Sequence, residues 1–256
     1  MKDRKSVQMK LEWKDLLNLN LKERFIENNI QVPWAILSWL LAANEYYLLA
    51  IPFSILFFIT AFRQAHNGIH SALGNPRFLN WWVLFLNSIS MVASIHAIRF
   101  PHLKHHKHTL QESDFEGIPA NMNFLEAILH GPTYYFYSHI SALRFEVSKI
   151  KILMILELLA TILFYALAFY FQINFIIYHF IIMLIGQMLT PLLAVWLVHR
   201  GNTTRTTRNR WISFIGADMF FHQEHHLFPN IPTIKMKELI DRLDSVHPRA
   251  YRKCIF

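Results

Sequence analysis

The chain has 256 residues, 54% of them hydrophobic, with a mean hydropathy of +0.25 and only 7 glycines. That length suits one domain, residues 1–256, and the apolar content lies above the usual soluble range. The single cysteine, Cys254, excludes an intramolecular disulfide and any cysteine-based zinc or iron–sulfur site, and the net charge of +8 flanks apolar runs instead of building a separate basic domain, which sets nucleic acid aside as a partner.

Residues 1–31 are polar, with seven Lys/Arg against five Asp/Glu and Leu11, Leu16, Leu19 and Leu21 scattered among them. A surface or interfacial segment is expected there, with no signal peptide, because no apolar core precedes a small-residue cleavage site. From Val32 to Phe62 the chain is almost wholly apolar. As one helix this run would be about 45 Å long, more than a hydrocarbon core of about 30 Å needs, so a tight hairpin broken near Asn44–Glu45 is predicted. Leu79–Ile98 is a second apolar run, interrupted by Asn87, Ser88, Ser90, Ser94 and His96, and that polar content fits a re-entrant or interfacial segment. Residues 99–149 read as a long polar connection with equal numbers of basic and acidic residues. Lys151–Phe171 and Ile173–Val198 are the two clearest spans, a down-and-back pair joined at Gln172–Asn174.

Residues 199–256 carry ten Lys/Arg against five Asp/Glu, and basic segments beside spans mark the cytoplasmic side. Within them, Met236, Leu239, Ile240 and Leu243 recur at helical spacing over Ile234–Asp244, an expected amphipathic cover. The pattern predicts an all-α membrane protein: about four transmembrane helices, an interfacial or re-entrant helix, and a cytoplasmic helical cap over residues 199–256.

Eight of the 15 histidines fall in three clusters: His66 with His70, His102 with His105 and His106, and His222 with His225 and His226. Positions i, i+3 and i+4 share one helix face, so the rings within a cluster converge. Each cluster lies just outside an apolar run, and ionisable groups held at membrane depth are functional by default. His199, where a span meets the polar tail, is a ninth candidate ligand. The first two clusters can share a centre only if Leu79–Ile98 does not cross the membrane. His108 is off register, and His96, His130, His139, His179 and His247 are each isolated; these read as solvated, interfacial or hydrogen-bonded. Asn67, Glu112, Asp114, Asn202, Asp218 and Glu224 are candidates for partners that fix imidazole tautomers.

Imidazole suits zinc, copper, iron and nickel, so ligand type alone does not name the metal. A structural zinc site closes with four ligands and a catalytic one uses three, so eight or nine histidines point to two metals. No Glu-x-x-His occurs, which disfavours a ferritin-like carboxylate site. A histidine-rich metal transporter is the rival class, but transporters place their ligands near the bilayer midplane and these clusters lie beyond the ends of apolar runs.

From about Phe62 to Leu243 these residues resemble the membrane fatty acid desaturase superfamily, which includes carotenoid ketolases and hydroxylases. His66/His70, His102/His105/His106 and His222/His225/His226 match its three histidine boxes in order. His105-His106-Lys107-His108-Thr109 and His225-His226-Leu227-Phe228-Pro229 match the flanks, and Asn202–Arg208 after His199 is similar to a short bacterial branch. The resemblance implies two iron ions on the cytoplasmic face, O2 as co-substrate, and hydrogen removal from an unactivated carbon of a fatty acyl lipid. Ligands would be His66, His70, His102, His105, His106, His199, His222, His225 and His226, with no catalytic residue beyond them. Electrons would come from a separate ferredoxin or cytochrome b5-type donor, because no His-Pro-Gly-Gly haem motif is present. A desaturase is the expectation, with a lipid or carotenoid hydroxylase or ketolase as the alternative; His222 opening the third box disfavours the cytochrome-fused front-end branch.

Overall fold

The computed structural model describes residues 7–8, 11–246 and 254–255; His247, Pro248 and Arg249 lie outside them. Among the described residues the elements are helical, and the one β contact is an isolated bridge between Thr206 and Cys254. The N-terminal segment holds a helix, Leu21–Asn29 (α1), opened by a capping box in which Asn20 and Glu23 each accept the other's backbone N–H.

The first apolar run breaks where the polar residues interrupt it. Val32–Ala43 (α2) stops at Asn44, Glu45 takes a φ of 63°, and Tyr47–Ile69 (α3) returns against α2. The 12 residues of α2 reach about 18 Å, too short to cross, whereas the 23 of α3 reach about 35 Å. Among the described residues three helices are long and apolar enough to span a membrane: α3, Ser148–Tyr170 (designated α8 below) and the helix over Asn174–His199 (α9 below).

Arg77–Ser90 (α4) and Ile95–His108 (α5) form a broken pair bent by 108° at Met91–Ser94, a fourth span if counted as one. Its two arms bring the first two clusters together, as a re-entrant pair would: His70 at the end of α3 and His102 on α5 bring ring nitrogens to 3.0 Å. The bend needs its own support, since irregular backbone at membrane depth survives only where protein satisfies its polar groups. Tyr165, His179, Gln187 and Tyr135 donate to the carbonyls of Ile89, Ser90, Met91 and Val92 at 3.1, 2.8, 2.8 and 2.7 Å. His139 accepts the Ser94 N–H at 3.0 Å, and the fully buried Glu157 takes the Ser94 hydroxyl at 2.6 Å and pairs with His96 at 2.6 Å. Val92, a β-branched residue, sits at a φ of 56°, a conformation this surround holds in place.

The expected polar connection over 99–149 needs correction. It contains the rest of α5, Phe124–Leu129 (α6) and Gly131–Phe145 (α7). In α7 the polarity is inverted: Ser138, His139 and Ser141 are buried toward the bend, while Phe136, Ile140 and Phe145 face outward. Its polar residues serve buried backbone, which is why they resembled a solvated linker. Ser148–Tyr170 (α8) and Asn174–His199 (α9) follow as the expected down-and-back pair, joined where Gln172 takes a φ of 52°; within α9, Pro191–Trp196 is a π turn. After Arg210–Ile215 (α10) and His222–Leu227 (α11), the amphipathic helix Met236–Val246 (α12) buries Met236, Leu239, Ile240 and Leu243 against Phe221, Phe228 and Ile231, as its spacing predicted.

One buried carboxylate ties the N-terminal segment to this frame. Glu27 on α1 pairs with Arg63 of α3 and accepts the Asn67 side-chain amide at 2.8 Å and the Ile234 backbone N–H at 2.8 Å. Asn67 in turn accepts the Thr233 hydroxyl at 2.7 Å, and Arg63 donates to the Ala217 carbonyl at 3.0 Å. Glu27 therefore clamps the helix bearing the first cluster to segments on both sides of the third. Removing one partner of a buried ion pair costs about 3–5 kcal/mol. Glu27→Ala is expected to lower the thermal unfolding temperature of the detergent-solubilised protein accordingly, whereas Glu23→Ala at the edge of the same helix should cost about 1 kcal/mol at most.

Candidate metal centre

His66 lies in the last turn of α3 and His70 caps it; α5 carries His102, His105 and His106; His199 closes the helix after the π turn; α11 carries His222, His225 and His226. The nine meet in two groups. His66, His70, His102, His106 and His225 offer ring nitrogens all within 4.8 Å of one another, and His105, His199, His222 and His226 form the second group on the same measure; each group could hold a metal ion. The expected convergence of each triplet needs correction, because positions i+3 and i+4 diverge on the helix and the two triplets split between the groups. Residues four apart stay together, as in His66/His70, His102/His106 and His222/His226, while His105 and His225 turn to the other group.

Within the groups Nε2 faces Nε2. The separations are 3.0 Å for His70–His102, 3.0 Å for His106–His225, 3.0 Å for His105–His199, 2.8 Å for His199–His222 and 3.1 Å for His222–His226. Both ring nitrogens of His66 are buried without a hydrogen-bond partner. Hydrogen-bonding groups are not normally buried that way, and a cation among the lone pairs satisfies them.

The far ring nitrogens explain which lone pairs face inward. His105 Nδ1 meets Asp114 at 2.7 Å and His102 Nδ1 meets Glu116 at 2.8 Å. Each carboxylate accepts the Nδ1–H hydrogen bond, which fixes the proton on Nδ1 and leaves the Nε2 lone pair for a metal. His226 Nδ1 has Thr109 Oγ1 at 3.4 Å and His199 Nδ1 has Thr204 Oγ1 at 3.3 Å. Burial pushes His222, His225 and His226 well below the ordinary imidazole range, and neighbouring rings push the same way: His199 on His222, His66 on His225 and His106 on His226. Neutral imidazole is the form that ligates. Burial would raise the Asp114 carboxyl, but the hydrogen bond and charge of His105 and the N–H groups of Leu110 and Gly117 hold it below its usual range.

Of the other polar residues singled out in the sequence, Asp114 holds a ring, that of His105. Asn67 joins the Glu27 clamp, and Asp218 pairs with Lys237 at 3.1 Å. Glu224 accepts from Thr206 at 2.5 Å and Arg208 at 2.7 Å, which fixes the short α11 helix to the stretch after His199. Glu112 and Asn202 are exposed, and His108 meets Gln111 at 3.3 Å outside both groups. Glu116 and Glu27 were missed; the pair Asp114-x-Glu116 soon after the second cluster was the available signal for the first.

A cavity of about 220 Å³ ends on the groups. His66, His102 and His222 share its lining with apolar side chains, among them Phe58, Met91 and Leu193. The eight residues from His66 back to Phe58 correspond to about 12 Å of α3, so the space descends from the imidazoles between the spans.

Searches of the curated proteins and of the solved structures gave no match. The family described as "Fatty acid desaturase" matches residues 37–255, which takes in all nine histidines. Its membrane-helix frame and clustered imidazoles agree with that match, and the chain belongs to the fatty acid desaturase family.

Proposed function

We propose that the chain is an integral membrane enzyme that introduces a double bond into a fatty acyl chain, using O2 and electrons from a separate ferredoxin or cytochrome b5-type carrier. The observation that carries this reading is the pair of imidazole groups, five and four, at one end of an apolar cavity. The whole chain works as one domain, with residues 199–256 as a cap on the cytoplasmic side, where the basic tail lies. A basic surface there favours docking of an acidic carrier.

His66, His70, His102, His106 and His225 would hold one iron and His105, His199, His222 and His226 the other. Iron bound there would supply O2 activation and removal of hydrogen from an unactivated C–H bond, redox chemistry outside the reach of zinc. The chain's own part is to prepare the donors and the substrate. Burial keeps the rings of the third cluster neutral, and Asp114 and Glu116 present the Nε2 lone pairs of His105 and His102 inward. The apolar lining excludes water and aligns a hydrocarbon against His66 and His102.

Expression in a host of defined lipids with mass analysis tests the reaction: loss of two hydrogens from an acyl chain is expected, and gain of oxygen would assign a hydroxylase or ketolase instead. His225→Ala should abolish turnover and lose iron from the five-histidine group while the protein stays in the membrane. Asp114→Asn should weaken iron retention or activity by about 10–100-fold, read by chelator competition. Acid should also loosen the metal-free cap. The folded imidazole values of His222, His225 and His226 lie below the unfolded value of 6.5, so protons go first to the unfolded chain. Stability from these rings is complete above about pH 6.5 and falls steadily below it, which a series of melting curves on metal-free protein checks.

A further inference from the structure

The cavity has a side as well as an end. Where α3 and α9 touch at depth, Gly186 lets the backbone lie against the Phe58 ring: a Cβ there would meet it at 2.6 Å. One turn on, the seam changes character. Pro191 has no N–H to continue the ladder, and Pro191–Trp196 is π-helical. There the cavity reaches Leu193 and Ala194 on α9, opposite Ile59 and Phe62 on α3. Leu193 is 40% exposed and Ile215, which lines the same cavity from α10, is 59% exposed. Leu193 lies six residues before His199, about 9 Å along the helix and so at hydrocarbon depth if the imidazoles sit at the membrane surface.

On the same short helix as Ile215, Trp211 and Phe214 are also exposed. Among the described residues lining the cavity there is no Lys or Arg, and the lone acidic one, Glu116, is occupied with His102. A water-soluble acyl carrier brings phosphate or another anionic group to its site, and such groups are recognised by cations or helix N-termini. The lining offers no cation.

We infer that the cavity opens sideways into the bilayer between α3 and α9, and that its substrate is an acyl chain of a lipid already resident in the membrane. This deepens the desaturase reading and rests on it for the chemistry alone, since entry needs neither iron nor O2. The α10 helix lies over the opening with its apolar side toward lipid, so a chain can slip past Leu193 and Ile215 while its head group stays at the interface.

The test uses the full chain in phosphatidylcholine vesicles doped with phosphatidylcholine bearing a diazirine near the methyl end of one acyl chain. After irradiation, peptide mass spectrometry is expected to find label on Phe58 and Met91 inside the cavity as well as on Leu193. Leu193→Glu and Ile215→Glu should each reduce the interior label several-fold and leave label on the lipid-facing side of α8, around Leu159, unchanged. The glutamine versions of both positions give the same comparison if a glutamate variant fails to fold, and unchanged α8 label monitors insertion. Interior label absent, or insensitive to both rim substitutions, overturns the inference. So does interior label obtained only from the same diazirine chain carried as a thioester on a water-soluble carrier. Turnover is not read in this experiment, so a lack of desaturation would count against the proposed reaction and not against the portal.

Discussion

The structure depends on an unusual stretch of backbone being satisfied in a place without water. If Met91–Ser94 were not supported, α4 and α5 would have to straighten into a span, and the first two histidine clusters would face opposite compartments. Side chains from α7, α8 and α9 supply what solvent cannot: Tyr135 and His139, Glu157 and Tyr165, His179 and Gln187 all bond to the bend or its flanks. Each carries polar atoms that would cost several kcal/mol if left unpaired in hydrocarbon. The bend and its supporters are therefore mutually required, and the meeting of the histidine groups follows from their agreement.

Above the bend, the site is an exercise in close approach between groups that repel once charged. Nine imidazoles within a few ångströms tolerate each other only as neutral rings, and burial enforces neutrality in the third cluster. Asp114 and Glu116 counterbalance from the outer side, where negative charge draws the ring proton away from the centre. The partition into five and four also follows from the helix. A run of histidines at i, i+3 and i+4 cannot aim all three rings at one point, so each triplet serves both groups.

Much of this was legible in the chain itself. The paired spans over 148–199 and the amphipathic cover of Met236, Leu239, Ile240 and Leu243 announce themselves through spacing, and eight histidines stand in three helically spaced clusters. The re-entrant character of Leu79–Ile98 could be argued because two clusters had to share a side. What periodicity could not reveal was the partner of each buried polar residue. His139 and Ser138 sit in a stretch whose composition resembles a solvated linker, yet they face inward while Phe136 and Ile140 are exposed. Glu27 gave no sign either: a lone acid in a mixed-charge helix becomes significant only when Arg63, Asn67 and Ile234 arrive from distant parts of the chain.

That last contact bears on how the protein is made. Glu27 and Ile234 are 207 positions apart, so the acid has been synthesised on the order of ten seconds or more before its final donor leaves the ribosome, at about 5–20 residues per second. Arg63 can neutralise it early, during insertion of the first span. The Ile234 bond must wait until the last helices have emerged, and long-range closure of this kind is slow. Closure of the C-terminal helices over the histidine groups is thus a late event of biogenesis, and a nascent chain stalled in the membrane would hold two of its histidine clusters long before it acquires the third.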